Sequence, residues 1–138
     1  DLADIQEAID VVRGAGNDDI ALLQCSALYP CAPAQANLAV MDTLRHAFQR
    51  PVGFSDHSLG LTVPTVAVAR GACMIEKHFT LDKTLEGSDH ICSADPAEMA
   101  AIAHGCRRIA AMLGSVEKEP TPQEYENRGV MRSLFVEH

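Results

Sequence analysis

Three short apolar runs alternate with four stretches whose apolar residues recur at the helical period, and this constrains the fold more than any other feature of the chain. Leu2, Ile5, Ile9 and Val12 follow that period, and Gly14 and Gly16 come where a helix would end. Ile20 to Cys25 is a short apolar run suited to a strand buried on both faces, broken by Tyr29-Pro30. Leu38, Met41, Leu44 and Phe48 predict a second helix from about Ala34 to Phe48, closed by Gln49-Arg50-Pro51. PVGFSDH, residues 51–57, is the second strand candidate. TVPTVAVARGA, residues 62–72, is rich in β-branched residues, but Pro64 in a first turn, Gly71 at the end and a place between two strands favour a helix. CMIEKHFT, residues 73–80, is the third strand. The polar connection 81–94 leads to DPAEMAAIAHGCRRIAAMLG, where Asp95, Pro96 and Glu98 form an acidic N-terminal cap and Gly114 follows the last apolar residue.

The order αβαβαβα implies parallel strands joined by crossover helices. Three strands and four helices make roughly half of an eight-stranded (β/α)8 barrel. A lone half leaves strand edges bare and apolar surface uncovered, so the piece by itself is expected to self-associate or to rely on contacts from a larger barrel. Residues 116–127, VEKEPTPQEYEN, are charged and proline-bearing, and read as a linker or a surface-hugging tail.

At 138 residues, 47% hydrophobic and 22% charged, the chain is in the range of one globular domain. A net charge of -8 disfavours a general polyanion binder and argues against nucleic acid, while leaving room for a local phosphate site. Cys25, Cys31, Cys73, Cys92 and Cys106 form no C-x-x-C pair, and their odd number reads as reduced thiols, with Cys25, Cys73 and Cys106 in the core; the cytoplasm is the expected compartment. No apolar run approaches the length of a membrane span, and the acidic, helical start is unlike a signal peptide. The first residue is Asp1, so the chain is expected to be an internal piece of something longer.

Functional groups in parallel α/β architectures gather at the carboxyl ends of the strands, where both His57 and His78 fall on consecutive strand candidates. Two neutral imidazoles from adjacent strands can chelate one divalent ion and leave positions open for a substrate oxygen. Each can equally be a hydrogen-bonded strand-end residue, since spacing supplies no third ligand. Asp56 and Glu76 can orient the imidazoles, but pairing with Lys77 or Arg70 in the wall of the sheet is the favoured reading. Ser55 can donate to a phosphate or cap a turn. His46, His90, His104 and His138 have no partner by spacing, and no base is placed to activate a nucleophilic cysteine.

These residues also carry a resemblance. LLQCSALYP, then Asn37-Leu38, then PVGFSDHSLG, then VARGACMIEKHFTLDKTLEGSDHICSADPAE resemble the second half of the catalytic barrel of the sialic acid synthase (N-acylneuraminate synthase) family, over nearly the whole chain. G-x-S-D-H, E-K-H-F-T and G-x-D-H in this order are highly specific. The resemblance implies a (β/α)8 TIM barrel transferase that condenses phosphoenolpyruvate with an N-acylhexosamine, N-acetylmannosamine in the sialic acid case, releasing phosphate. It implies that His57 and His78 hold a divalent metal, Mn2+ typically and Mg2+ or Co2+ alternatively. Ser55 would lie at the phosphoenolpyruvate phosphate, and Tyr29 and Asp89 would contact the sugar. Many relatives carry Asn or Ser where this chain has Ala27, with Ser26 beside it.

On the same resemblance, residues 1–115 are a partial synthase barrel. Residues 116–138 lead toward an antifreeze-like domain that closes the partner's site in a homodimer, and the phosphate-binding lysines and acidic catalysts lie in earlier strands. The piece alone is then expected to be inactive. Legionaminic and pseudaminic acid synthases share these motifs, and a non-catalytic half-barrel acting as a binding or assembly module is the rival from another class.

Overall fold

The computed structural model describes residues 1–131. Its elements are α1 (Leu2–Gly14), β1 (Leu22–Cys25), a 3-10 turn (Pro33–Gln35), α2 (Val40–Phe48), β2 (Val52–Asp56), α3 (Thr62–Ala69), β3 (Ile75–Lys77), α4 (Pro96–Leu113) and α5 (Pro122–Met131). The three strands form one parallel sheet in the order β1-β2-β3.

Alternation along the strands sorts their side chains onto two faces. Val52 and Phe54 face the helices and pack with Met41 and Leu44 of α2 and Val63 and Ala67 of α3, with Leu22 and Ile75 at the margin of this core. Gln24 is in register with Phe54, and its amide donates to the Ala36 carbonyl, which holds the turn before α2 against the sheet. Gly53, Ser55 and His57 point to the other side. A Cβ on Gly53 would lie 2.5 Å from Met74 Cγ and 2.7 Å from the Met74 carbonyl oxygen, so only glycine lets β2 and the approach to β3 come this close.

Local signals explain most element ends. Asp1 and Asp4 close a capping box on α1, and Asp95 and Glu98 close another on α4. The second helix starts at Val40, later than the expected 34, because Pro33 opens a 3-10 turn and Asn37 adopts a positive φ of 49° that interrupts helical backbone.

The stretch 116–127, read as a linker or tail, runs into a helix, α5, at Pro122. Thr121 and Glu124 exchange backbone-to-side-chain hydrogen bonds of 2.7 and 3.2 Å, and Pro122 occupies the first turn, so T-P-Q-E is itself a helix start. No residue of α5 is buried. The expected approach to a further domain over 131–138 lies, after Met131, outside the described residues.

All five cysteines are free, but their placement in the core is corrected. Only Cys31 and Cys92 are buried; Cys25 and Cys73 are exposed and Cys106 is half-buried. Cys25 ends β1 on the face turned away from the helices, and Cys73 sits in the turn before β3. Among the described residues, no helix is long and apolar enough to cross a membrane.

Candidate functional site at the carboxyl ends of the strands

The two strand-end histidines meet. Ser55 pairs in register with Glu76 and Asp56 with Lys77, so the next residues on the helix-free face, His57 and His78, lie side by side. Their ring centroids are 5.1 Å apart, edge to face. Tyr29 completes the cluster, its ring 4.2 Å from His57 and 5.6 Å from His78. His57 is buried, whereas the side chains of His78 and Asp89 are 33% and 53% exposed, so the cluster opens to solvent on the His78 side.

Hydrogen bonding decides which ring nitrogens carry lone pairs. His57 Nδ1 lies 3.1 Å from the Ser26 carbonyl oxygen, which can only accept, so Nδ1 carries the proton and Nε2 the lone pair. Cys25 Sγ stands 3.8 Å from the same nitrogen. His78 Nδ1 is 3.5 Å from Asp89 Oδ2, a longer contact that sets a carboxylate beside the ring.

Two imidazoles sharing one ion at ordinary metal–nitrogen distances and angles have ring centroids about 4.5 to 5.5 Å apart. The separation and the His57 tautomer therefore fit a divalent cation held by His57 and His78. Among the described residues, no third His, Cys, Asp or Glu completes a protein ligand set, so other positions on such an ion would fall to water or substrate oxygens.

The expected roles of the neighbours divide. Asp56 is structural: its carboxylate meets Lys77 Nζ at 2.7 Å with both side chains essentially buried, as favoured from the sequence. Arg70 instead pairs with Asp42 on the surface. The Ser55 hydroxyl donates to Glu76 Oε1 at 2.8 Å, so it is committed to a carboxylate in this state. Ser26, beside Ala27, donates its hydroxyl to the Gln35 carbonyl at 2.7 Å.

Desolvation first, and then the negative charge that Cys25, Asp89, Cys92 and Glu76 bring nearby, hold the phenol of Tyr29, 42% exposed, above the usual range, so it stays a neutral hydrogen-bond donor. Burial likewise pushes the Cys92 thiol up.

Some contacts escaped the sequence reading. His90, expected to lack a partner, has Nδ1 2.9 Å from Thr80 Oγ1. The Asp89–His78 contact joins residues of a strand end and a loop, which spacing alone does not relate. Cys25 beside His57 was accessible in principle, since alternation puts Cys25 on the face of Ser55, its register partner.

A parallel α/β sheet with a polar, two-histidine site at the carboxyl ends of its strands defines the class. The chain belongs to the NeuB family, whose pattern it matches over residues 1–118. It is 46% identical to the N,N'-diacetyllegionaminic acid synthase of Legionella pneumophila over 136 residues, which cover 96% of this chain and 38% of that protein. It is 40% identical to the N-acetylneuraminate-9-phosphate synthase of Mus musculus over 109 residues, 78% of this chain and 30% of that one. The crystal structure of N-acetylneuraminic acid (sialic acid) synthetase from Leptospira borgpetersenii, solved in complex with citrate, superposes with a TM-score of 0.84 at 37% identity, covering 97% of this chain and 47% of that one. The chain thus spans less than half the length of the relatives it matches.

Proposed function

We propose that this chain is the carboxyl-terminal half of the catalytic barrel of a synthase that condenses phosphoenolpyruvate with an N-acylhexosamine and, with addition of one water at the phosphate-bearing carbon, gives a nine-carbon sialic-type acid and phosphate. The observation that carries the reading is the pair of strand-end imidazoles, His57 and His78, 5.1 Å apart, with His57 Nδ1 bonded to the Ser26 carbonyl and the Asp89 carboxylate beside His78, in a chain of the NeuB family. A divalent ion at that pair, with Mn2+ first and Mg2+ or Co2+ as alternatives, would polarise the sugar aldehyde oxygen as a Lewis acid.

The chain's own groups would then orient the substrates. Asp89, half exposed beside His78, accepts hydrogen bonds from sugar hydroxyls and fixes which face of the aldehyde is presented. Tyr29, neutral, tilted against the His57 ring and edge-on to that of His78, donates to the sugar. Ser55 reaches the phosphate of phosphoenolpyruvate only by turning its hydroxyl away from Glu76.

The test is condensation by the intact protein, read as phosphate release that requires both phosphoenolpyruvate and N-acetylmannosamine. Activity should vanish on chelation, return with Mn2+, and be lost in His57→Ala. Full turnover after exhaustive chelation would refute the metal role, and no phosphate release with any N-acylhexosamine would refute the reaction.

A further inference from the structure

The Asp56–Lys77 pair costs desolvation of two charges, yet it lies between strands already held by backbone bonds and apolar packing. What distinguishes it is its place. Asp56 precedes His57 and Lys77 precedes His78. Lys77 Nζ donates to Asp56 Oδ2 and to the Ser58 carbonyl, both at 2.7 Å, while Asp56 Oδ1 accepts from the Ser58 amide at 2.9 Å. One ammonium, from the residue next to His78, therefore grips the chain on both sides of His57. The Cys31 amide adds a bond of 2.8 Å to the His57 carbonyl.

β3 is only three residues long and pairs with β2 through Phe54–Ile75, Ser55–Glu76 and Asp56–Lys77. So short a ladder specifies register weakly, and a slip of one residue would turn His78 to the helix side of the sheet. A slip would also leave a buried ammonium and a buried carboxylate without each other, which penalises every register but one.

We propose that Asp56 and Lys77 are positioning residues for His57 and His78, setting the separation of the two imidazoles and contributing little to overall stability. The link to metal binding rests on the function proposed above; the link to ring geometry does not.

The experiment replaces the pair in the intact protein by apolar residues of similar size, Asp56→Leu with Lys77→Met. A milder version, Asp56→Asn with Lys77→Met, keeps an acceptor for the Ser58 amide. Three quantities are read: the thermal midpoint, the His57–His78 ring separation in a crystal structure of the variant, and Co2+ affinity from its visible absorption. The expected result is a folded protein with nearly unchanged midpoint, rings displaced by about 1 Å or more, and Co2+ affinity lower by about tenfold or more. A folded variant with its rings still about 5.1 Å apart overturns the proposal, whatever happens to Co2+. Loss of the fold in both versions overturns it too, because the pair would then serve stability. His78→Ala with unchanged Co2+ binding would instead sink the metal reading and leave the ring separation as the deciding measurement.

Discussion

The two faces of the same three-stranded sheet are built from alternate residues of the same strands, and they are opposites. On the helix side Val52 and Phe54 are 1% and 2% exposed and packed among aliphatic side chains. On the other side Ser55 and His57 are nearly as buried, yet each is hydrogen-bonded, and beyond them Cys25, Glu76 and Asp89 open to solvent. Burial alone does not separate structure from chemistry here. The distinction is whether the buried atoms are apolar and matched in shape, or polar with a nitrogen lone pair left over.

That contrast can be broken at the core first. Phe54→Ala should cost about 3–5 kcal/mol, a large part of a small domain's stability, lowering the thermal midpoint while the folded fraction keeps its divalent-ion affinity. A weakened ion site at equal folded fraction would show the faces to be coupled. His78→Ala is the mirror experiment: divalent-ion affinity should fall on the order of 100-fold or more, with the midpoint nearly unmoved. Calorimetry checks both, and a midpoint drop as large as that of Phe54→Ala would mean His78 is core.

Gly53→Ala sharpens the comparison because its Cβ would enter the helix-free face against the Met74 backbone. Destabilisation of about 1–3 kcal/mol is expected from chemical denaturation, and a neutral result would show that β2 and β3 can part without cost. Asp89→Asn should weaken N-acylhexosamine binding about tenfold, close to 1.4 kcal/mol, with phosphoenolpyruvate affinity nearly unchanged. An equal loss for both substrates would assign Asp89 to the shape of the site as a whole.

The smallest effect lies away from either face. The Thr121 backbone bond, then its hydroxyl, hold the Glu124 carboxyl below its usual range. A lowered folded value means that this contribution to α5 is present at neutral pH and is lost as pH falls through that value. Cα chemical shifts of residues 122–131 should therefore move toward coil on acidification through the carboxylate range. Shifts that stay fixed through that range would argue against the cap.

Most of the fold was legible because amphipathic period and strand alternation are properties of consecutive residues. Helix α3 shows the weight of context: Val63, Thr65, Val66 and Val68 favour strand, yet the segment is helical because it must cross between two parallel neighbours. The T-P-Q-E start of α5 is also written in the sequence, but no apolar period follows it, so the segment lacks the signal that marks the other helices. Within the site, His57 and His78 followed from their matched places after β2 and β3. Asp89 beside His78, and His90 on Thr80, depend on the path of a loop whose ends are fixed by tertiary bonds, and no local period encodes that.

That loop has a thermodynamic consequence. Ala94 donates to the His78 carbonyl at 2.7 Å and Thr80 to the Ala94 carbonyl at 3.0 Å, closing the base of residues 81–93, while the Asp89 carbonyl accepts from both the amide and the hydroxyl of Ser93. Asp89 is thus carried on a shelf that folding has already ordered. On the function proposed above, a sugar bound at Asp89 would freeze few additional backbone torsions, so its capture should show a modest entropy penalty and a rate set by encounter instead of loop closure.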